Sequence, residues 1–280
     1  MQWIFVGAGN MASSLIGGLI SAGNPPSSIQ VVDPDSSTLA RAVERFKVNT
    51  ASSIGEALDQ NAEEAGVVLA VKPHIVEVVC KDIKEAKQQA KLVVSVAAGV
   101  RCSSMQTWLG SIPIVRCMPN TPALLGLGAT ALFATDNCQA TDKQAAEDLL
   151  QTAGVTSWVK AEAELDAITA LSGSGPAYFF YLIEHMTATG IKLGLDKETA
   201  EAFAKETAFG AASMARAGSD SPATLRENVT SKGGTTAAAL NVFNESDTPS
   251  IIAQAMQAAM QRAVELGDDL APEPGKNGAD

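Results

Sequence analysis

The sequence predicts an α/β domain built on a doubly wound sheet, followed by an all-α domain. Three observations carry that expectation. Short β-prone runs alternate with helical patterns through the first 160 residues, a glycine-rich turn joins the first run to the first helix, and strand signals stop at about Ala161. A length of 280 residues suits about two domains, each able to bury a core. A hydrophobic fraction of 46% beside 18% charged residues belongs to a globular chain. The net charge of −11, with no basic stripe to offset it, argues against a nucleic-acid partner. Small anionic ligands stay open, because clustered N–H groups act locally whatever the net charge. The opening M-Q-W-I-F-V lacks a basic segment and breaks at Gly7, so it reads as a strand and not as a secretion signal. No apolar run reaches the roughly 20 residues of a membrane span, and no membrane partner is expected. Cys80, Cys102, Cys117 and Cys138 are scattered, with no C-x-x-C pair and no His cluster, which points to free thiols in a reducing cytoplasm and to no metal site.

The first strand, Gln2–Val6, runs into Gly7-Ala8-Gly9-Asn10-Met11-Ala12, and Met11–Leu19 reads as a helix continuing to about Gly23. This is G-x-G-x-x-A between a strand and a helix, the fingerprint of a Rossmann-type dinucleotide site. Gly7 permits the tight turn, Gly9 lets the backbone approach a pyrophosphate, and Ala12 lets the helix pack closely on the strand. Ala8, Asn10 and Met11 complete the loop. The second strand, Ile29–Val32, ends at Asp33, 21 residues after Ala12. An acid there accepts hydrogen bonds from the adenosine ribose and repels a 2′-phosphate. Yet Ser36 and Ser37 follow, and Arg41 and Arg45 lie on the next helix, where they would seat that phosphate if Asp33 turned away. Asp33-Pro34-Asp35-Ser36 also reads as a plain turn and helix cap. The cofactor is therefore NADPH or NADH.

The alternation continues with helical patterns at Ser36–Phe46 and Ser53–Asn61, then the buried-strand run Gly66–Val71. Lys72-Pro73 ends it, and a helix restarts near His74. The carboxyl ends of parallel strands face the ligand in doubly wound sheets, so Ala70, Val71, Lys72 and Pro73 should line the cofactor groove. Lys72 reads equally as a phosphate ligand and as a solvated lysine; His74 reads as a surface residue. The strand Leu92–Val96 closes in Ala97-Ala98-Gly99, small enough for close approach by a ligand. Ile112–Cys117 leads into Met118-Pro119-Asn120-Thr121-Pro122, where two prolines stiffen the loop and leave Asn120 and Thr121 as its polar groups. Gly128–Phe133 and Val155–Val159 read as strands flanking a helix at Asp142–Ala153.

Helices follow. Leu165–Leu171 is interrupted by Ser172-Gly173-Ser174-Gly175-Pro176 and resumes from Ala177. Gly and Pro in a helix interior cost about 1 and 3 kcal/mol, so the break marks either a connection or the close approach of another group. Tyr178, Tyr181, Leu182, His185 and Thr189 share one helical stripe, on which His185 is expected to be packed and hydrogen-bonded. Further helices are expected at Lys197–Ala217, Pro222–Asn228, Thr235–Asn244 and Ser250–Leu266. These six helices are rich in alanine and poor in large side chains, so a partner subunit is expected to complete their core. The tail Ala271–Asp280 has the composition of a disordered segment. The expected boundaries are 1–160, 161–270 and 271–280.

Within the helical part, Val229–Leu240 reads V-T-S-K-G-G-T-T-A-A-A-L. Ser231, Thr235 and Thr236 read as caps of the following helix, or the uncapped N–H groups beyond Gly233-Gly234 form a seat for an anion.

Five stretches together resemble one family, the pyrroline-5-carboxylate reductases: G-A-G-N-M-A at 7–12, V-K-P at 71–73, R-C-M-P-N-T-P at 116–122, D-A-I-T-A-L-S-G-S-G-P-A-Y at 166–178 and the segment at 229–240. The resemblance spans nearly the whole chain in the right order. It implies NAD(P)H-dependent reduction of the cyclic imine 1-pyrroline-5-carboxylate to L-proline, the last step of proline biosynthesis. It also implies a helical domain that binds substrate and dimerises. Such dimers assemble in several members into decamers, a pentamer of dimers. By that analogy the substrate sits between the nicotinamide of one subunit and the helical domain of its partner. Its carboxylate would rest on Ser231 and on the N–H groups of Gly233, Gly234 and Thr235, and Thr236 would reach the ring nitrogen as the catalytic residue. A β-hydroxyacid dehydrogenase shares the two-domain layout but uses a lysine base on an interdomain helix, and Leu165–Phe180 contains none. A non-catalytic dinucleotide sensor, with Gly233-Gly234 only capping a helix, would bind cofactor without turnover.

Overall fold

A computed structural model describes residues 1–60, 65–86, 88 and 90–271. The expected tail lies outside them from residue 272 onward, as does Asn61 at the end of one expected helix. Contacts divide the chain into two units, Met1–Gly173 with Ala259–Asp280, and Ser174–Ala258.

Among the described residues, the first unit holds eight strands: β1 (Gln2–Val6), β2 (Ile29–Val32), β3 (Asn49–Ala51), β4 (Ala65–Leu69), β5 (Leu92–Ser95), β6 (Ile114–Met118), β7 (Gly128–Ala134) and β8 (Gly154–Trp158). They form one sheet in the order β3-β2-β1-β4-β5-β6-β7-β8, parallel throughout except for the antiparallel β6–β7 pair. The connecting helices are α1 (Asn10–Ser21), α2 (Ser36–Phe46), α3 (Ile54–Gln60), α4 (Val76–Glu85), α5 (Cys102–Leu109), α6 (Ala140–Gln151) and α7 (Glu164–Ile168). The order in which the chain adds strands reverses at β1, with β2 on one side and β4 on the other, which is the switch point of a doubly wound fold.

Alternation within each strand divides the core between the two faces. Ile4, Val6, Val67, Leu69 and Val93 pack with α3, α4 and α5, while Trp3, Phe5, Val31, Val68 and Val94 pack with α1, α2 and α6. Strands covered on both faces carry apolar residues at successive positions, which is why these runs look continuously hydrophobic in the sequence. Ile4, Phe5, Val67, Val68 and Leu69 are all fully buried, and each large side chain contributes about 1.5–3 kcal/mol by leaving water. That core is large enough to fix the strand ends on which ligand-facing loops depend.

The second unit contains α8 (Gly175–Lys192), α9 (Lys197–Ala217), α10 (Pro222–Asn228), α11 (Thr235–Glu245) and the first part of α12 (Thr248–Asp269). Small residues let α8 and α9 approach closely, since a methyl on Gly190 would touch Ala200 Cβ at 3.4 Å. Ala200 and Ala204 are buried, but Phe179, Phe180, Tyr181, Phe203 and Phe209 are 63–69% exposed. Burying five such side chains is worth on the order of 10 kcal/mol, so the single chain leaves a large driving force for association unused.

Three local expectations change. His185 is exposed and stands edge-to-face with Tyr181, at 4.2 Å between centroids, because no element among the described residues covers that face. The break at Ser172–Pro176 begins earlier, as a five-residue π turn at Thr169–Gly173, and α8 starts at Gly175 with Pro176 in its first turn. There the missing proline N–H costs no helical hydrogen bond. The helix expected to restart near His74 opens as a 3-10 turn, Pro73–Ile75, before α4.

Candidate functional site

The loop after β1 is shaped by Gly7. Its N–H donates to Val32 C=O at 2.8 Å, and its φ of +94° lies where side chains other than hydrogen are strained. A methyl group there would sit 2.6 Å from Ala70 O, so the position has no room for one. Gly9 is different. It has an ordinary extended φ of −70°, caps α1 with no side-chain hydrogen bond, and has nothing within 4 Å of where a Cβ would be. The Ser13 N–H donates to Gly9 C=O at 2.9 Å, and the first-turn N–H groups of α1 before it have no side-chain cap and stand beside open space. Ala12, fully buried, seats the helix on the sheet. An open cradle with free N–H donors at a helix start fits a pyrophosphate.

Strand register brings the other expected loops to the same edge. Val6 pairs with Val32 and Leu69, and Leu69 with Ser95, which pairs in turn with Arg116. Gly7–Ala12, Asp33, Ala70–Pro73, Ala97 and Asn120 therefore follow the carboxyl ends of adjacent strands. A hollow of about 480 Å³ opens there between α1 and α2, lined by Ala8, Gly9, Asn10 and Asp33. Ser13, Thr38, Arg41, Ala42, Arg45 and Phe46 complete its lining. Ser36 does not line it: it is the exposed first residue of α2. Nor do Met11 and Ala12, which face the packed side of α1. Ser13, Thr38 and Phe46 carry no motif and were not legible as lining residues; only their spacing from Gly9 and Arg41 along the helices could have suggested them.

Asp33 faces the loop. Its Oδ2 accepts the Ala8 N–H at 3.1 Å and its Oδ1 the Asp35 N–H at 3.0 Å. Asp35 caps α2, accepting hydrogen bonds from Thr38 Oγ1, Ser37 Oγ and the Ser37 N–H. Those bonds, led by that from Thr38, hold its carboxyl below the usual range.

Asn120 is held from both ends. Its Nδ2 donates to Ser172 C=O at 3.1 Å and its Oδ1 accepts the Ala129 N–H at 2.9 Å, so the side chain ties the start of β7 to the π turn. Sequence reasoning treated it as a free polar group because neither partner is near it in the chain. It also missed Arg116, a buried cation on β6 that pairs with Glu162 at 2.7 Å and Asp166 at 3.7 Å. Lys72 is exposed and Ala97 buried at the strand ends.

In the second unit, the turn before α11 carries the other expected residues. Gly233 has φ +74°, and Gly234 is the N-cap of α11 with no side-chain hydrogen bond. Gly234 N–H donates to Ser231 C=O at 3.0 Å, and a methyl on Gly234 would collide with Ser231 Oγ. The Ser231 hydroxyl thus lies beside the start of α11, where the Thr235 and Thr236 N–H groups have no side-chain cap. Thr236 is half-buried and Thr235 exposed. A separate hollow of about 410 Å³, lined by Arg226, Thr230, Leu240 and Asn241, includes none of these residues.

A doubly wound sheet with this glycine loop, an uncapped helix start and a hollow at the switch point defines a dinucleotide-binding oxidoreductase. Residues 3–99 match the family described as NADP oxidoreductase coenzyme F420-dependent, and residues 162–266 match that described as pyrroline-5-carboxylate reductase dimerisation. Pyrroline-5-carboxylate reductase from Pseudomonas aeruginosa is 45% identical over 95% of this chain and 97% of that protein. The Vibrio alginolyticus enzyme is 41% identical over 94% and 96%. Among solved structures, a Coxiella burnetii pyrroline-5-carboxylate reductase superposes with a TM-score of 0.88 at 40% identity, covering 95% of this chain and 98% of that one. A Plasmodium falciparum pyrroline carboxylate reductase with NADP bound gives 0.81 at 28%, over 95% and 98%. The chain belongs to the pyrroline-5-carboxylate reductase family, whose members are NAD(P)-dependent oxidoreductases. Among the described residues, no helix is long and apolar enough to cross a membrane.

Proposed function

We propose that this chain reduces the cyclic imine of 1-pyrroline-5-carboxylate to L-proline, using NADPH or NADH, as the last step of proline biosynthesis in the cytoplasm. One observation carries the reading most directly: the Ser231 hydroxyl lies against an uncapped helix start at Gly234-Thr235-Thr236, in a family whose named relatives are pyrroline-5-carboxylate reductases. The bound dinucleotide supplies the hydride.

The chain's own residues bind and orient. Gly7, Ala8, Gly9, Asn10, Met11 and Ala12 form the loop and helix start that hold the pyrophosphate. Asp33 flanks the adenosine side, with Ser36 beyond it outside the hollow. Ala70, Val71, Lys72, Pro73 and Ala97 line the strand edge, and Asn120 shapes its far end. Ser231 and the N–H groups of Gly233, Gly234 and Thr235 hold the substrate carboxylate, an anion at a helix start worth about 0.3–1 kcal/mol, up to about 2 when partly buried. Because Gly234 N–H is bonded to Ser231 C=O, its share requires that turn to loosen. Thr236 hydrogen-bonds the ring nitrogen, in an orienting or proton-relay role. No strong general acid is needed when the imine binds protonated, and positioning alone can supply up to roughly 7–11 kcal/mol.

Residues 161–270 serve as the substrate-binding and dimerisation domain, after a dinucleotide-binding domain at 1–160. The exposed phenylalanines of the second unit support a homodimer as the minimal assembly, with a decamer, a pentamer of dimers, as the larger one. The four buried free thiols are consistent with a reducing compartment. The test is loss of nicotinamide absorbance on adding 1-pyrroline-5-carboxylate, with proline measured in parallel. Stoichiometric proline is expected; cofactor binding with no turnover would overturn the reading.

A further inference from the structure

We infer that Lys232 is a specificity residue for the anionic substrate, its ammonium drawing the carboxylate to the turn before α11. The inference rests on the reading above, which seats that carboxylate on Ser231 and the start of α11. The Gly234 N–H donates to Ser231 C=O at 3.0 Å and closes a four-residue turn with Lys232 and Gly233 at its two central positions. Gly233 has φ +74°, and Lys232 is not among the residues of positive φ. A negative φ followed by a glycine at positive φ makes a type II turn. Proline suits the first central position of that turn, so nothing in the backbone asks for a lysine there. What Lys232 adds to the turn is its side chain.

That side chain is close to the seat and uncommitted. The turn follows directly from a tied helix end, where Thr230 Oγ1 donates to Arg226 C=O at 2.6 Å and the Thr230 N–H to Glu227 C=O at 2.9 Å. Consecutive Cα atoms lie about 3.8 Å apart, so the Lys232 backbone adjoins both Ser231 and Gly233, and its flexible four-carbon stem lets the ammonium reach an anion held there. Lys232 is exposed, and among the described residues no ion pair or hydrogen bond holds its ammonium. It is the one charged side chain in the sequence from Asn228 to Asn244. Glu227, the acid before it, is paired with Arg226 at 3.8 Å. The uncapped start of α11 offers only the partial positive charge of a helix end. A chain of net charge −11 repels small anions at long range, so a full positive charge at the seat supplies the local attraction that the rest of the molecule lacks.

Steady-state reduction of pyrroline-5-carboxylate at saturating reduced cofactor tests this in the intact protein and in Lys232→Gln, Lys232→Pro and Lys232→Arg. At low salt, Lys232→Gln and Lys232→Pro should each raise KM by about three- to tenfold with kcat within about twofold, as expected for lost ground-state attraction. Lys232→Arg keeps the charge and should stay within about twofold of the parent KM. Raising salt from about 0.01 M to about 1 M shortens the Debye length from about 30 Å to about 3 Å. The parent kcat/KM should fall over that range, and the two uncharged variants should fall less. The proline variant keeps the turn while removing the charge, so a parental KM in Lys232→Pro beside a raised one in Lys232→Gln would assign the effect to the backbone and overturn the inference. Equal losses in Lys232→Arg and Lys232→Gln, or salt profiles that match the parent, would overturn it too. Turnover with KM unmoved by Lys232→Gln would overturn it and leave the reductase reading intact; a parent that binds cofactor and forms no proline would end both.

Discussion

The Arg116 guanidinium donates to Glu162 Oε1 at 2.7 Å, and the same oxygen accepts the Cys102 N–H at 2.7 Å. Asp166, on α7, stands 3.7 Å from the other guanidinium nitrogen. One carboxylate therefore joins β6, the start of α5 and the approach to α7 inside the first unit. The Arg116 side chain is only 6% exposed, so it depends on these partners for its charge to be tolerated. Arg116→Met should strand two carboxylates and lower the stability of the first unit by about 3 kcal/mol. Trp3, Trp108 and Trp158 all belong to that unit, so urea unfolding followed by tryptophan fluorescence reads it directly. An unchanged midpoint would mean that the pair contributes nothing.

Gly7 and Gly9 should separate folding from binding. Gly7→Ala meets Ala70 O at 2.6 Å in a left-handed backbone conformation and should destabilise the first unit by about 1–3 kcal/mol. Gly9→Ala meets nothing and keeps an allowed backbone, so its thermal midpoint should stay close to that of the parent. Its added methyl points into the cradle proposed for the pyrophosphate, and dinucleotide affinity should fall by at least about tenfold. Fluorescence titration beside thermal unfolding distinguishes the two, and Gly9→Ala with unaltered affinity would place the pyrophosphate elsewhere.

Much of the α/β part was legible because its signals are local. The run Gln2–Val6, the strand Ile29–Val32 and the helix Ser36–Phe46 have in the structure the bounds that hydrophobic runs and turn residues suggested. The strand Asn49–Ala51 was not seen, since three residues are too few to display a period, and neither was the helix Cys102–Leu109, which has no capping side chain to mark its start. The engagement of Asn120 with Ser172 and Ala129, and of Arg116 with Glu162, depends on partners 9 to 52 residues away that no local pattern reveals. The direction Asp33 faces was undecidable for the same reason. On the helical side, the stripe carrying His185 reads as a buried face, yet what would bury it is not supplied by the single chain.

The buried thiols give the protein an alkaline limit. Burial, with a smaller contribution from Glu77, pushes Cys80 from 9.0 up to about 12. Burial likewise pushes up Cys102, Cys117 and Cys138. The fold favours the neutral thiol, so the stability linked to these groups is fully present below about pH 9. It is lost as pH rises toward 12, because the unfolded chain releases its protons first. The urea midpoint should fall between about pH 9 and 11, and less steeply in Cys80→Ala. Equal slopes would remove Cys80 from the effect. All four thiols should also resist a disulfide reagent at neutral pH until the chain is unfolded.

Thr236 lies half-buried in the first turn of α11, which has no side-chain cap. If its hydroxyl holds the imine nitrogen, Thr236→Ala should lower kcat by roughly tenfold to a hundredfold, while NADPH affinity stays within about twofold. Thr236→Ser, which keeps the hydroxyl, should restore most of the rate. Steady-state kinetics beside fluorescence titration separates this from a packing defect, which would disturb both variants. A fully active alanine variant would remove Thr236 from the mechanism.

The exposed aromatic face of the second unit makes the last prediction. Phe203 and Phe209 are 69% and 65% exposed on α9, and a charge at either would be harmless in a monomer. In a dimer that buries them, one carboxylate per site on an apolar interface costs several kcal/mol and appears twice by symmetry. Phe203→Asp/Phe209→Asp should therefore sediment as a monomer at concentrations where the parent is at least a dimer. Because the substrate seat is proposed to work against a partner's cofactor, the monomer should bind NADPH and yet turn over at least about a hundredfold more slowly. A variant that remains dimeric would move the interface off this part of α9, and an active monomer would show that one chain completes the site alone.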